Sequence, residues 1–91
     1  MLARIETQHR AELGAQKLKI KAGAFLRQKR CELGLTQADM ARGMGFADRT
    51  SISKLESGLY GLTLSEFIDI AAIFSMSPTQ LMAELEKNLK K

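Results

Sequence analysis

Signals that start and stop helices recur at short intervals along this chain, and they constrain its fold more than any other feature. Thr36, Thr63 and Ser77 each stand three residues before a side chain that can reach back to them, the spacing of a capping box (partners Asp39, Glu66 and Gln80). Pro78 then occupies the favoured first helical position. Glycines follow the apolar segments and mark helix ends (Gly34, the Gly43–Gly45 region and Gly58). The pattern predicts short helices joined by short turns.

The composition agrees with a helical core. Hydrophobic residues make up 45% of the 91 residues, but aromatic residues make up only 5% and tryptophan is absent. The core must therefore be built from Leu, Ile, Met and Phe, which favours packed helices over a sandwich of sheets. A chain of this length forms one small domain. We therefore predict an all-α fold.

Five helices are predicted. Helix one begins at Ala22 and ends at Gly34, helix two follows the Thr36 cap, helix three follows a cap at Asp48, and helices four and five follow the caps at positions 63 and 77. Residues with helical spacing inside each segment are expected to face the core: Phe25, Leu26, Leu33, Met40, Ala41, Met44, Ile52, Leu55, Leu64, Phe67, Ile70, Ala71, Phe74, Leu81, Met82, Leu85 and Leu89.

The first 21 residues are the least regular part. Four positions form a thin helical stripe that Gly14 is expected to end (Leu2, Ile5, His9 and Leu13). Residues Lys17–Lys21 alternate charged and apolar side chains, which is compatible with a short edge strand guarded by lysines or with the start of the next helix. A helical or irregular arm is the preferred interpretation. We therefore divide the chain into an arm, 1–21, and a domain, 22–91.

The charge distribution favours a polyanionic partner. The chain carries 14 basic and 10 acidic residues, a net charge of +4. The basic excess lies in residues 1–61, whereas residues 62–91 are slightly acidic. A basic surface of this kind suits nucleic acid, although a solvated surface has the same signature.

Several classes of protein are not expected. One cysteine, Cys31, cannot close an intrachain disulfide, and with a single histidine the chain lacks the ligands of a structural zinc site. There is no apolar run of the length of a membrane span and no signal-peptide core, so a cytoplasmic protein is expected. No candidate nucleophile lies at a recognisable sequence spacing from a side chain that could act as its general base. The sequence also has no glycine-rich loop of the kind that binds phosphate. We expect neither an enzyme nor a cofactor or metal.

Helix three has the pattern of a helix that reads a DNA groove. Ile52 and Leu55 point to one side, which leaves other side chains free on the opposite side. An arginine can give paired donors to a guanine edge, and threonine, serine and lysine can contact bases or phosphates. Helix two would then cross the backbone, with its amide groups and the Gln37 side chain facing a phosphate. The candidate base-facing residues are Arg49, Thr50, Ser53 and Lys54.

At the level of whole motifs the chain resembles the Xre/Cro/CI family of helix-turn-helix DNA-binding domains. The segments "RCELGLTQADMA" and "ISKLESG" carry the resemblance, which extends from about Ala22 to Leu85. It implies a five-helix, lambda-repressor-like domain with an N-terminal arm or extra helix. The segment "DRTSIS" is also similar to restriction-modification controller proteins, a subgroup of the same family, but six residues do not assign the chain to it.

The resemblance also implies residue roles. Gln37 would contact phosphate, and the four candidate residues of helix three would face the bases. Arg30 of helix one would pair with Glu56 at the end of helix three, a partly buried ion pair that orients the reading helix.

Two departures from the family pattern affect these roles. The turn between Gly45 and Ile52 is one residue longer than usual, so whether Asp48, Arg49 or Thr50 faces the bases stays open. The loop after helix three reads "LYGL", without the cations that relatives place against phosphates, and leaves the hydroxyl of Tyr60 and backbone amides as substitutes.

The expected function is sequence-specific binding of double-stranded DNA by a transcriptional regulator, such as a repressor. One small module contacts few base pairs, so a homodimer on a pseudo-palindromic operator is expected, with helix five and the apolar loop residues Leu59, Tyr60 and Leu62 as candidates for its interface. The alternative is an antitoxin-like or adaptor module that holds a partner protein through residues 1–19 and binds DNA secondarily.

Overall fold

A computed structural model describes the backbone of residues 2–90 and the side chains of residues 14–90, and this part of the chain contains five α-helices and no strand. The helices are α1 (Leu2–Glu32), α2 (Gln37–Met44), α3 (Thr50–Glu56), α4 (Leu64–Ile73) and α5 (Pro78–Leu89). The predicted all-α, five-helix fold is therefore confirmed. None of the described helices is both long and apolar enough to cross a bilayer.

All three predicted capping boxes form. At the start of α2, Thr36 Oγ1 accepts from the Asp39 backbone N–H at 3.0 Å, and the Asp39 carboxylate accepts from the Thr36 N–H at 2.8 Å. The same reciprocal pair of bonds opens the next two long helices (Thr63 with Glu66 for α4, Ser77 with Gln80 for α5). Each box satisfies backbone donors that have no partner inside the helix, which is why these helices begin where the sequence predicts.

The N-terminal segment is helical, in agreement with the preferred interpretation of a helical or irregular arm, but it is continuous with the helix predicted to begin at Ala22. Helix α1 is continuous for 31 residues, so Gly14 does not end a helix, Lys17–Lys21 are not a strand, and the expected boundary after residue 21 lies inside α1. A glycine inside a helix costs only about 1 kcal/mol relative to alanine, and good helix formers on both sides outweigh it. A glycine ends a helix when its backbone turns left-handed, as Gly34 does with φ 74°. The stripe from Leu2 to Leu13 lies outside the described side chains.

Helix α1 spans the whole molecule. A helix of 31 residues is about 46 Å long, close to the longest dimension of the molecule, 48 Å. It packs against α3 and α5, while α2 and α4 pack against each other. Two of the other described helices, α3 and α5, therefore pack directly on α1, and α2 and α4 pack on these two and on each other.

The core draws on every helix. Ile52 of α3, Ile70 of α4 and Leu81 of α5 are its most deeply buried large side chains. The other buried residues largely follow the predicted spacing (Phe25, Leu26, Met40, Ala41, Leu55, Phe67, Ala71, Phe74 and Leu85). The core prediction is thus confirmed at most positions.

Three residues predicted for the core are instead exposed. Leu33 follows the last residue of α1 and is 46% exposed, and Leu64 opens α4 and is 75% exposed. Met82 is 48% exposed because it lies about 100° around α5 from the buried Leu81. All three lie at the end or the edge of an apolar stripe, where sequence spacing does not separate buried from exposed.

Helices α1 and α3 touch through a glycine. A Cβ atom placed on Gly23 would lie 2.5 Å from the carbonyl oxygen of Leu55 and 2.7 Å from that of Glu56. Both atoms belong to backbone and cannot rotate away. Gly23 therefore sets how closely the end of α3 approaches α1.

We predict opposite effects of the same substitution at the two glycines inside α1. Gly23→Ala should destabilise the fold by about 1–3 kcal/mol, because the new methyl group forces α1 and α3 apart. Gly14→Ala is the matched control, since nothing lies within 4 Å of its Cβ position, and it should stabilise by about 0.5–1 kcal/mol. Urea denaturation followed by circular dichroism measures both. Equal effects at the two positions would contradict the close contact at Gly23.

Candidate nucleic-acid interface

Helix α3 separates a buried side from an exposed side. Ile52 is 1% exposed and Leu55 is 4% exposed, so its inner side is fixed in the core. Arg49, which immediately precedes the helix, and three side chains of α3 are all exposed. We call these four residues the outer face of α3 (Arg49, Thr50, Ser53 and Lys54). The structure thus brings the four predicted residues of helix three onto one surface.

The turn between α2 and α3 begins with a left-handed glycine. Gly45 has φ 74°, and its N–H bonds to the carbonyl oxygens of Ala41 and Arg42. The N–H of Phe46 reaches the Ala41 oxygen as well, at 2.9 Å. These bonds close the end of α2 and turn the chain sharply toward α3.

The start of α3 differs by one residue from its prediction. Arg49, not Asp48, is the N-cap residue, and it makes no capping bond with its side chain. Its dihedral angles, φ −72° and ψ −9°, are already helical, so Asp48 caps from one position earlier: its carboxylate accepts from the Thr50 N–H at 2.8 Å. The first residue of α3 is therefore Thr50, and Arg49 lies directly before it.

The Asp48 carboxyl is held in its charged form by this bond. The bond from Thr50 lowers the pKa of Asp48 below its ordinary value of 3.8, and the charge of Lys54 acts in the same direction. One oxygen of Asp48 is therefore occupied at the start of α3, while Arg49 and Thr50 face solvent beside it.

A buried ion pair joins α1 to the end of α3. Arg30 Nε donates to Glu56 Oε2 at 2.6 Å and Nη2 donates to Oε1 at 3.0 Å, while Nη1 donates to the Leu35 carbonyl oxygen at 2.7 Å. Arg30 is 8% exposed and Glu56 9%. The bonds to Glu56 raise the pKa of the Arg30 guanidinium, against the opposing effect of burial. The structure thus places in contact the two residues that the family resemblance pairs.

The Glu56 carboxylate also accepts a hydrogen bond from a side chain of α2. Gln37, the first residue of that helix, donates from Nε2 to Glu56 Oε1 at 3.2 Å. Glu56 therefore accepts hydrogen bonds from side chains of α1 and α2 while belonging to α3. No sequence signal indicated the Gln37 bond, because its partners are 19 residues apart. One N–H of the amide is turned inward, so the Gln37 side chain has one N–H fewer for a phosphate than predicted.

The loop after α3 has fewer free hydrogen-bond donors for DNA than its sequence predicts. The Tyr60 hydroxyl was a candidate phosphate donor, but it donates to the Ser51 carbonyl oxygen at 2.9 Å and is thus committed inside the molecule. Burial raises the pKa of Tyr60, and Glu66 adds to the effect. Tyr60 therefore stabilises the position of α3 through a hydrogen bond to its backbone.

The cations of this surface are not equivalent. Arg42 on α2 forms an ion pair with Asp39 within the same helix. Arg49 and Lys54 have no ion-pair partner among the residues that the structure describes. The outer face of α3 therefore carries two cations that are not engaged in an ion pair within the described part of the chain.

Comparison with known proteins adds one match. A family model described as helix-turn-helix matches residues 26–81, which include all of α2, α3 and α4 with parts of α1 and α5. A search of curated proteins finds no match to this chain.

We predict strong coupling between Arg30 and Glu56. Arg30→Met and Glu56→Met should each destabilise the fold by about 3–5 kcal/mol, because each leaves a buried charge without its partner. The double variant should lose much less than the sum, since no buried charge remains. Urea denaturation of the four proteins measures the coupling. Additive losses would show that the pair contributes nothing beyond its separate side chains.

We also predict a pH-dependent contribution from the Asp48 cap. A lowered pKa in the folded state means that the stabilisation is fully present above pH 3.8, the ordinary pKa, and disappears as the pH falls through the lower folded-state pKa. The stability difference between the wild type and Asp48→Ala should therefore shrink toward zero in acid. Asp48→Asn is the control, because it keeps an acceptor that does not titrate, and its advantage over Asp48→Ala should persist. A constant difference for the wild type would contradict the charged cap.

Proposed function

Because this chain belongs to the Xre/Cro/CI-like helix-turn-helix family of DNA-binding domains, we propose that it reads a specific operator with the outer face of α3 and regulates transcription as a homodimer. The carrying observation is that this face is exposed to solvent while Ile52 and Leu55 hold the opposite side in the core. A helix held in this way can enter the major groove without rearranging the domain.

The four side chains of the outer face offer different contacts. Arg49 can donate two parallel bonds to the O6 and N7 atoms of a guanine, and Thr50 can contact a thymine methyl group or donate from its hydroxyl. Ser53 and Lys54 lie one turn further along α3, where a lysine can reach a guanine or a phosphate. Arg49 stands before α3, at the end that enters the groove first, so we assign it the main role in discrimination.

Helix α2 supplies the contact to the DNA backbone. Its first turn presents unpaired N–H groups and a positive dipole end, which favour a phosphate oxygen. Gln37 opens this helix, and its bond to Glu56 fixes the amide so that the remaining N–H can add to these donors. Because Glu56 belongs to α3, the phosphate contact and the reading helix are held in register by one carboxylate.

The size of the reading element favours a dimer. Helix α3 has only seven residues, about two turns, and reaches few base pairs. Two copies related by a two-fold axis double the contacts, and their half-sites lie about 34–36 Å apart on one side of the duplex. Bound across a promoter, such a dimer would exclude polymerase and act as a repressor in the cytoplasm.

We predict that selection of duplexes from a random pool enriches a pseudo-palindromic sequence. Arg49→Ala should reduce affinity for that sequence by about 1–3 kcal/mol per contacted guanine and flatten the preference at that position. Arg42→Ala is the matched control, since it removes the same side chain from the exposed side of α2 and should leave the preferred sequence unchanged. Both variants should unfold like the wild type.

The salt dependence separates the two kinds of contact. Gln37→Ala should weaken binding to all sequences alike. If Lys54 contacts a phosphate, Lys54→Ala should reduce the slope of log K against log salt by about one. If Lys54 contacts a base, the variant should change the selected motif instead. Enrichment of no sequence by the wild type, or an unchanged motif for Arg49→Ala, would refute the proposal that the outer face of α3 reads bases.

A further inference from the structure

Helix α1 carries exposed cations that the DNA contacts proposed above do not use. From position 13 to position 31 the sequence has no acidic residue and six basic ones (Lys17, Lys19, Lys21, Arg27, Lys29 and Arg30). Lys29 and Arg30 form ion pairs with residues of other helices. Lys17, Lys21 and Arg27 are exposed and have no ion-pair partner among the side chains that the structure describes. These three cations are therefore available to a partner.

The three cations lie along one side of α1. Lys17, Lys21, Ala24 and Gln28 are spaced four, three and four residues apart, which places them one above another on the helix. Arg27 lies beside the end of this row, one helical turn from Ala24. We call Lys17, Lys21 and Arg27 the cationic stripe.

One end of the cationic stripe borders the residues proposed to hold the DNA backbone. Ala24, Arg27 and Gln28 line a depression that also includes Glu56, the last residue of α3. The Glu56 carboxylate accepts from the amide of Gln37, whose remaining N–H is proposed to contact a phosphate. The cationic stripe therefore continues the surface on which α2 meets the backbone.

The other end of the cationic stripe lies next to the loop that follows α3. A Cβ atom placed on Gly58 would lie only 2.8 Å from the Cα atom of Ile20, which precedes Lys21. The loop from position 57 to position 62 has no charged residue, and its Tyr60 hydroxyl is committed to the Ser51 carbonyl oxygen. Cations for a DNA strand on this side of the reading helix must therefore come from another element, and α1 is in contact with the loop.

We propose that the cationic stripe of α1 binds the phosphate backbone of double-stranded DNA beside the reading helix. This inference rests on the proposed function for the position of the duplex, and it adds a second backbone contact. Lys17 and Arg27 are ten residues apart, about 15 Å along α1, so the stripe can follow a strand over several phosphates. Lys17 and Lys21 precede the matched segment, 26–81, so this contact extends beyond the helix-turn-helix domain itself.

The stripe has a different role from the outer face of α3. Contacts of lysine and arginine with phosphates position a protein on the duplex and carry no direct sequence information. The stripe therefore raises affinity for every duplex and makes binding more sensitive to salt, because each neutralised phosphate releases counterions. The selected sequence is left to α3.

The first test is the salt dependence of binding to duplex DNA. Lys17→Gln combined with Lys21→Gln should weaken binding to all sequences alike and reduce the slope of log K against log salt by about 1.8, because each phosphate contact contributes about 0.9. Arg27→Gln alone should reduce the slope by about 0.9. The enriched motif should stay that of the wild type.

The matched control removes the same net charge elsewhere. Lys87→Gln combined with Lys90→Gln neutralises two exposed lysines at the end of α5 and should leave the slope unchanged. All of these positions are exposed, so each variant should keep the circular dichroism spectrum and the thermal midpoint of the wild type. A wild-type slope in the α1 variants, or an equal loss in the control, would overturn the proposal.

The second test separates the position of the stripe from net charge. Ala15→Lys combined with Lys17→Ala keeps the net charge and moves one lysine about 160° around α1. Position 15 is exposed and lines a depression with Leu18 and Met82, away from the stripe. The slope should fall by about 0.9, as for the loss of one contact. A slope equal to that of the wild type would refute a contact made by this side of α1.

The slopes are measured both on the selected operator and on a duplex that lacks its motif. If the α1 variants lower the slope on both duplexes while the wild type enriches no motif, only the proposed function fails. If the wild type enriches a motif and the α1 variants keep its slope, only the cationic stripe fails.

Discussion

The buried carboxylate of Glu56 is the constraint on which the rest of this structure depends. A charge removed from water needs partners of good geometry, or it destabilises the fold by several kcal/mol. Glu56 finds them in the guanidinium of Arg30 and the amide of Gln37. Three helices therefore have to meet at one point, and α3 cannot rotate about its own axis without breaking these bonds. The orientation of the reading helix follows from a carboxylate on its last turn.

Helix α1 is shaped to make this meeting possible. Gly23 and Arg30 lie seven residues apart, two helical turns, and therefore near the same side of α1. The glycine lets the end of α3 approach α1 as far as backbone contact, and two turns further along α1 the arginine bonds to the side chain of Glu56, the last residue of α3. One close contact and one ion pair thus act together on the same end of α3.

Local signals in this sequence could be read well, whereas the one contact between distant residues that was predicted, Arg30 with Glu56, came from the family resemblance and not from spacing. The capping boxes at Thr36, Thr63 and Ser77 involve residues three apart, so their spacing alone predicts them. The hydrogen bonds of Gln37 to Glu56 and of Tyr60 to Ser51 join residues from different elements, and no rule of sequence spacing predicts them.

The same division explains the errors in the fold and the site. Gly14 and Gly34 are both predicted to end a helix because both are glycines. Only Gly34 has a left-handed backbone and does so, whereas Gly14 lies inside α1. Leu64 and Met82 fit an apolar stripe, but the sequence does not show that the neighbouring helices leave that side of α4 and α5 uncovered. The residues of the outer face of α3 could be predicted because two buried neighbours, Ile52 and Leu55, fix which side faces out.

Tyr60 links α3 to the apolar surface formed with α1, α4 and α5. It lies in a depression lined by Leu18, Leu64 and Met82, while its hydroxyl donates to the backbone of α3 at Ser51. The loop that follows α3 is therefore bonded back to the backbone of α3. The segment that leaves the reading helix thus also helps to fix its position.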